Sequence, residues 1–97
     1  MAFVVAATWV ARRGEEAVVA DTIRHMTPLS LAEQGCHYYQ AQVSTEDPCR
    51  FLLYEQYDDA AAYDAHKASP HFQEHVVGFV LDRLEARQVT TWTTVEV

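Results

Sequence analysis

Cys36-His37-Tyr38-Tyr39-Gln40-Ala41-Gln42-Val43, Ser44-Thr45-Glu46-Asp47-Pro48-Cys49 and Arg50-Phe51-Leu52-Leu53-Tyr54-Glu55-Gln56-Tyr57 are consecutive, and their reading decides the fold. The first run alternates Tyr and Gln with Ala and Val, and the third is a long apolar and aromatic run. Ser44 to Pro48 has the composition of a loop, so the two runs form an antiparallel hairpin. Downstream, Asp58 and Asp59 are placed to cap a helix through Ala60-Ala61-Ala62-Tyr63-Asp64-Ala65-His66. Ser69-Pro70 then starts a new helical segment, with Ser as its cap and Pro in its first turn. Phe72, Val76, Phe79, Val80 and Leu84 make an apolar stripe on it, and Gln88 to Val97, rich in Thr and Val with Trp92, is a final strand.

Upstream, residues 3–11 are β-rich. Both alternating sets, Phe3-Val5-Ala7-Trp9 and Val4-Ala6-Thr8-Val10, are mostly apolar, which calls for a strand covered on both faces. After Gly14, Glu15 and Glu16 favour a helix start and Val19, Ile23 and Met26 recur at helical spacing, which predicts a helix ending near Pro28. Ser30 to Gln34 adds a further short turn, with Gly35 as a helix-stop residue. The order is β-α-β-β-α-β with the second helix broken. It predicts an α+β, ferredoxin-like fold: a four-stranded antiparallel sheet with helices on one face. The apolar residues of the other face predict that two sheets pack together as a homodimer.

Ninety-seven residues form one domain, spanning residues 1–97. A net charge of −7, with seven scattered Lys and Arg, repels a phosphate backbone, so nucleic acid is not an expected partner. Cys36 and Cys49 lack C-x-x-C spacing and further sulfurs, and read as free thiols rather than a zinc site. Met1 to Ala7 is apolar, but no basic residue precedes it and Trp9 and Arg12-Arg13 follow at once. It reads as a strand rather than a leader, and a cytoplasmic protein with no membrane partner is expected.

The string F-L-L-Y-E-Q-Y at Phe51–Tyr57, followed by H-K-A-S-P-H-F at His66–Phe72, resembles the antibiotic biosynthesis monooxygenase domain family, in particular its small stand-alone quinol-monooxygenase-like members. Glu33-Gln34-Gly35-Cys36 and Pro48 fit the same template. The resemblance implies a dimeric α/β barrel of two ferredoxin-like sheets, with a pocket in each subunit between sheet and helices. Many such proteins use no metal, flavin or haem and oxidise electron-rich phenols with O2; others isomerise small keto compounds, degrade haem or have no known activity. Relatives often carry Asn, and Arg two positions on, where this chain has Cys36 and Tyr38. The haem-degrading branch uses an Asn on its first strand, a Trp where His66 stands and an axial His near His75. Thr8, Trp9 and His66 do not match that set, so haem is not expected.

Oxygenase chemistry without a cofactor needs a base for the substrate phenol, a stabiliser for the developing oxyanion and a dry aromatic pocket. His66, at helical spacing from Ala62 and Tyr63, is the leading base; its alternative is a structural histidine bonded to a carboxylate or carbonyl. His71, at a helix start, is the second candidate, because the helix dipole favours its neutral form. Glu55 is the third, as catalytic or orienting carboxylate, and it must point away from its neighbour Tyr54. Trp9, Tyr54, Tyr63, Phe72 and Trp92 are the candidate substrate-binding aromatics, and each is equally a core filler. His25, His37 and His75 read as surface or structural. The expectation is therefore a monooxygenase acting on a small phenolic, quinol or polyketide-like substrate. The alternatives are an isomerase of a small hydroxy-ketone and a non-catalytic dimeric binding module.

Overall fold

The computed structural model describes residues 1–97. The elements are β1 (Phe3–Ala11), α1 (Glu16–Leu31), β2 (Cys36–Val43), β3 (Arg50–Tyr57), α2 (Ala60–Ala68) and β4 (Leu84–Thr93), with a π-helical turn at Phe72–Val77 and a 3-10 turn at Val80–Arg83. All strand pairings are antiparallel, in the order β2-β3-β1-β4. This is the ferredoxin-like arrangement, and the hairpin of β2 and β3 has the limits that its composition predicts.

Period-two alternation assigns every strand residue to a face. The pairs Val5 with Glu55, Ala7 with Leu53 and Trp9 with Phe51 lie on the helix side, where all six are buried. Val19, Ile23 and Met26 of α1 cover them, joined by Val76 and Val80 from the helical turns. Ala6 with Tyr54 and Thr8 with Leu52 lie on the other face, together with Trp92 opposite Val4. On that face Tyr38, Leu52 and Trp92 are exposed, and Tyr38 meets Tyr54 edge-on at 5.6 Å.

Three boundaries differ from the sequence reading. The first helix does not stop near Pro28 but continues to Leu31. Pro28 and Arg24 are both exposed, so the carbonyl that loses its partner faces water, while Met26 and Ser30 hold the helix down from its buried side. Gly35 is not a left-handed helix stop, since the one glycine with positive φ is Gly14, at 91°. It is needed for a close approach: a Cβ at Gly35 would lie 2.6 Å from the Ala62 Cβ. The last helix does not reach Leu84. It gives way to the π-helical and 3-10 turns, and Leu84 already pairs with Ala11 at the start of β4, which ends at Thr93 rather than Val97.

Local caps follow the sequence more closely. Asp59 accepts from the Ala62 N–H at 2.8 Å and starts α2. Ser69 Oγ accepts from the Phe72 N–H at 3.2 Å, so the Ser-Pro break starts the next helical turns as expected. Both cysteines are free thiols. No helix is long and apolar enough to cross a membrane.

Candidate functional site

Three separate stretches converge on His66. The first is the connection after α1. There the Glu33 N–H donates to Ser30 O and the Glu33 carbonyl accepts from the Cys36 N–H, both at 3.1 Å, so Glu33 is held in place from both sides. The second is the end of β3, which turns Glu55 and Tyr57 toward the helices. The third runs from the last turn of α2 to His71, just past the Ser69 cap.

His66 is 2% exposed. Its Nδ1–H donates to the Glu33 carboxylate, at 2.8 Å to one oxygen and 3.1 Å to the other. His71 Nε2–H donates to the same carboxylate at 2.5 Å, so Glu33 bridges two imidazoles. The other ring nitrogen of His66, Nε2, faces Glu55 Oε1 at 3.8 Å. Glu55 Oε1 accepts the Tyr57 hydroxyl at 2.5 Å. With Nδ1 committed to Glu33 as a donor, a neutral His66 carries its free lone pair on Nε2.

The environment favours that neutral form. Burial lowers the His66 pKa below its ordinary value, against the opposing pull of Glu33. Burial also raises Glu55 to about 7; the Tyr57 hydrogen bond works against the rise and the Glu33 charge adds to it. The Tyr39 and Tyr57 phenols are pushed upward by burial first and by the Glu55 charge second. Cys36 is pushed up to about 11, chiefly by burial, so it is no nucleophile at neutral pH.

Four aromatic rings enclose His66. Phe72 lies 5.2 Å from it between centroids, Tyr57 5.4 Å, Tyr39 5.9 Å and Tyr63 6.3 Å. None of the four principal clefts is lined by His66, Glu55, Tyr57 or Glu33. Two adjoining clefts instead follow the seam between α1 and the edge strand β2, sharing Ile23, Arg24 and Ala41. They measure about 360 and 440 Å³, within the usual ~300–1,000 Å³ of small-molecule sites. Tyr39 lines the second, and its ring lies 5.9 Å from that of His66 between centroids.

Of the eight residues singled out from sequence, the structure gathers His66, His71, Glu55, Tyr63 and Phe72. Trp9 is buried on the same face, but it pairs with Phe51, four residues along β1 from the Val5–Glu55 pair and so about 13 Å away. Tyr54 and Trp92 lie on the opposite side of the sheet and do not meet His66. Sequence reasoning missed Glu33 and Tyr39 as site residues and did not single out Tyr57. Glu33 had one signal, its place in the Glu-Gln-Gly-Cys segment; Tyr39 had none beyond strand alternation.

The sequence profile of the antibiotic biosynthesis monooxygenase family matches residues 1–77. Among solved structures, protein SO0527 from Shewanella oneidensis is 27% identical, with a TM-score of 0.85 over 94% of this chain and 88% of that one. Rv0793 from Mycobacterium tuberculosis is 23% identical with a TM-score of 0.91, covering 100% and 98% of the two chains. PA3566 from Pseudomonas aeruginosa is 24% identical with a TM-score of 0.90, covering 98% and 95%. At such identities the last two speak for the fold alone. No curated protein matches the chain. With a family profile across more than three-quarters of its length and a matching fold throughout, the chain belongs to the antibiotic biosynthesis monooxygenase family.

Proposed function

We propose that the protein is a monooxygenase that oxidises a small phenolic, quinol or polyketide-like aromatic with O2, using the substrate's own electrons, with His66 Nε2 as the base. One observation carries this reading: Glu33 takes the Nδ1–H of a buried, neutral His66 and leaves Nε2 bare inside an aromatic enclosure. Glu33 is then the positioning residue that fixes the tautomer, and His71 steadies Glu33. Glu55, on the Nε2 side and raised by burial to about 7, is the group there that can carry or release a proton, with the Tyr57 hydroxyl holding it in place.

The chemistry balances without an external reductant. Nε2 takes a proton from an activated phenol or ring methylene. The resulting anion passes one electron to O2, the radical pair combines into a carbon-bound peroxide anion, and the protonated Nε2 returns its proton to give the hydroperoxide. Loss of water from a former methylene then leaves a carbonyl, so one CH2 and one O2 become one C=O and one H2O. The aromatic enclosure keeps the intermediates from bulk water. A substrate in the seam between α1 and β2 reaches Nε2 by displacing the Tyr39 ring.

The test is oxygen uptake by metal-stripped protein with a panel of dihydroquinones and anthrones. The expected result is a rate above buffer that His66→Gln abolishes in a folded protein. No acceleration with any member of the panel would sink the proposal. The closed ring around Nε2 supports a second reading, a non-catalytic binding module whose ligand occupies the seam; saturable binding there without oxygen uptake would select it.

The same proposal includes a homodimer built on the open sheet face, where Tyr38, Leu52 and Trp92 are exposed around the strip Val4, Ala6, Thr8 and Val10. Sedimentation at micromolar concentration is expected to give twice the 11.0 kDa chain mass, and Leu52→Glu to lower it. A wild-type monomer would refute this assembly.

A further inference from the structure

We propose that Glu33, His66 Nδ1 and His71 Nε2 form a binding site for a borderline divalent transition-metal ion of the zinc, cobalt or nickel type. Their donor atoms all lie within 4.8 Å of one another. Two imidazoles and one carboxylate make a ligand set that such ions favour over the all-oxygen shells of calcium and magnesium. An ion at about 2.0–2.2 Å from each donor in tetrahedral geometry sets the donors about 3.3 Å apart, so the His71 ring and the Glu33 carboxylate must draw apart from their present 2.5 Å, and Glu33 from its 2.8 Å to His66 Nδ1. Both are partly exposed, at 17% and 18% of their side chains, whereas His66 is fixed in the core. The two that must move are the two that are partly exposed.

A second observation supports the site independently of the ligand triad. A histidine bound to a metal through one ring nitrogen donates the other N–H to an outer acceptor, commonly a carboxylate. His66 Nε2 already faces the buried carboxyl of Glu55 at 3.8 Å, and Glu55 is itself held by the Tyr57 hydroxyl. With an ion on Nδ1, the ring proton moves to Nε2 and points at Glu55. No proton is lost from a neutral ring; it changes nitrogen.

The site does not rest on the oxygenase reading, but it has a consequence for it. An ion on Nδ1 places a proton on the one nitrogen that serves as base. Metal occupancy and His66 base catalysis therefore exclude each other, and the loaded protein is inactive as a cofactor-free oxygenase.

The experiment titrates metal-stripped protein with Co2+, read by its visible absorption, and with Zn2+ in competition. One Co2+ per chain is expected. His71→Ala or Glu33→Gln should weaken binding by at least about tenfold, and His25→Ala, in the separate surface pair of His25 and His75, should leave it unchanged. Histidine-ring NMR of the wild-type protein should show Zn2+ moving the His66 proton from Nδ1 to Nε2. This measurement decides the matter even if a variant fails to fold. Absence of a Co2+ spectrum, binding that survives both substitutions, dependence on His25, or an unmoved His66 proton would each overturn the site. All of these readouts are independent of turnover, so the metal site and the oxygenase reading can fail separately.

Discussion

Replacing Glu55 by Gln should make the protein more stable above neutral pH and change little below pH 5. Glu55 is 5% exposed, and burial raises its carboxyl from 4.5 to about 7. A group whose folded pKa is raised binds more protons folded than unfolded between those two values, so stability falls as pH rises through that window. At about 1.4 kcal/mol per pH unit, the ionised carboxylate costs on the order of 3 kcal/mol once the pH is above about 7. Gln keeps an oxygen for the Tyr57 hydroxyl and carries no charge to desolvate. His66 works in the opposite sense, because its lowered pKa penalises the folded state as pH falls below 6.5. Since His66 is present in both proteins, its contribution largely cancels in their difference. Urea unfolding from about pH 5 to about pH 9 at fixed protein concentration, followed by tryptophan fluorescence, measures that difference. It should grow by about 3 kcal/mol across the range, with most of the change between pH 5 and 7. A difference that stays flat with pH would refute the claim that an ionisable carboxyl is buried there at a cost.

Tyr57→Phe removes the hydrogen bond that holds the Glu55 pKa down, so carboxyl carbon NMR should show Glu55 titrating above about 7; an unmoved midpoint would contradict the contact. Gly35→Ala forces a Cβ to 2.6 Å from that of Ala62 and should cost about 1–3 kcal/mol in thermal or urea melts, with near-neutral stability counting against the close approach. Asp59→Ala loses the α2 cap and should cost about 1 kcal/mol by the same measurement. Cys36, buried and with its thiol near 11, should resist iodoacetamide at pH 8 in the folded protein and react on unfolding, as peptide mass mapping would show; rapid labelling of the native state would refute its burial.

The hairpin and the alternation along β1 and β3 were legible because strand alternation is a local signal carried by the side chains themselves; which alternate set faces the helices was not, since both sets of β1 are mostly apolar. Tyr54 and Glu55 had to part company, and packing decided which went inward: four alternate residues, Phe51, Leu53, Glu55 and Tyr57, share the covered face, and three of them are large and apolar or aromatic. The end of α1 and the start of β4 were less legible. Pro28 is a helix-stop signal that its exposure makes harmless, and the stripe from Phe72 to Leu84 has helical spacing although it passes through two different turns into a strand. Periodicity counts residues and does not see a change of pitch.

The site was half legible for a related reason. His66 and His71 stand out as residue types whose pKa lies near neutrality, five positions apart around a Ser-Pro break. What makes them a site is Glu33, thirty-three positions before His66 and on no regular element, and only the packing of α2 against Gly35 brings it into reach. Glu33 decides which nitrogen of His66 is free, and that choice separates the two chemistries open to this cluster. With Glu33 as a simple acceptor, Nε2 carries the free lone pair and faces Glu55, as the proposed base requires. With an ion inserted between Glu33 and the two imidazoles, Nε2 is a donor to the same carboxyl. A sequence motif that records the histidines but not the proton on their rings identifies the family and leaves the reaction to be settled by the tautomer of His66.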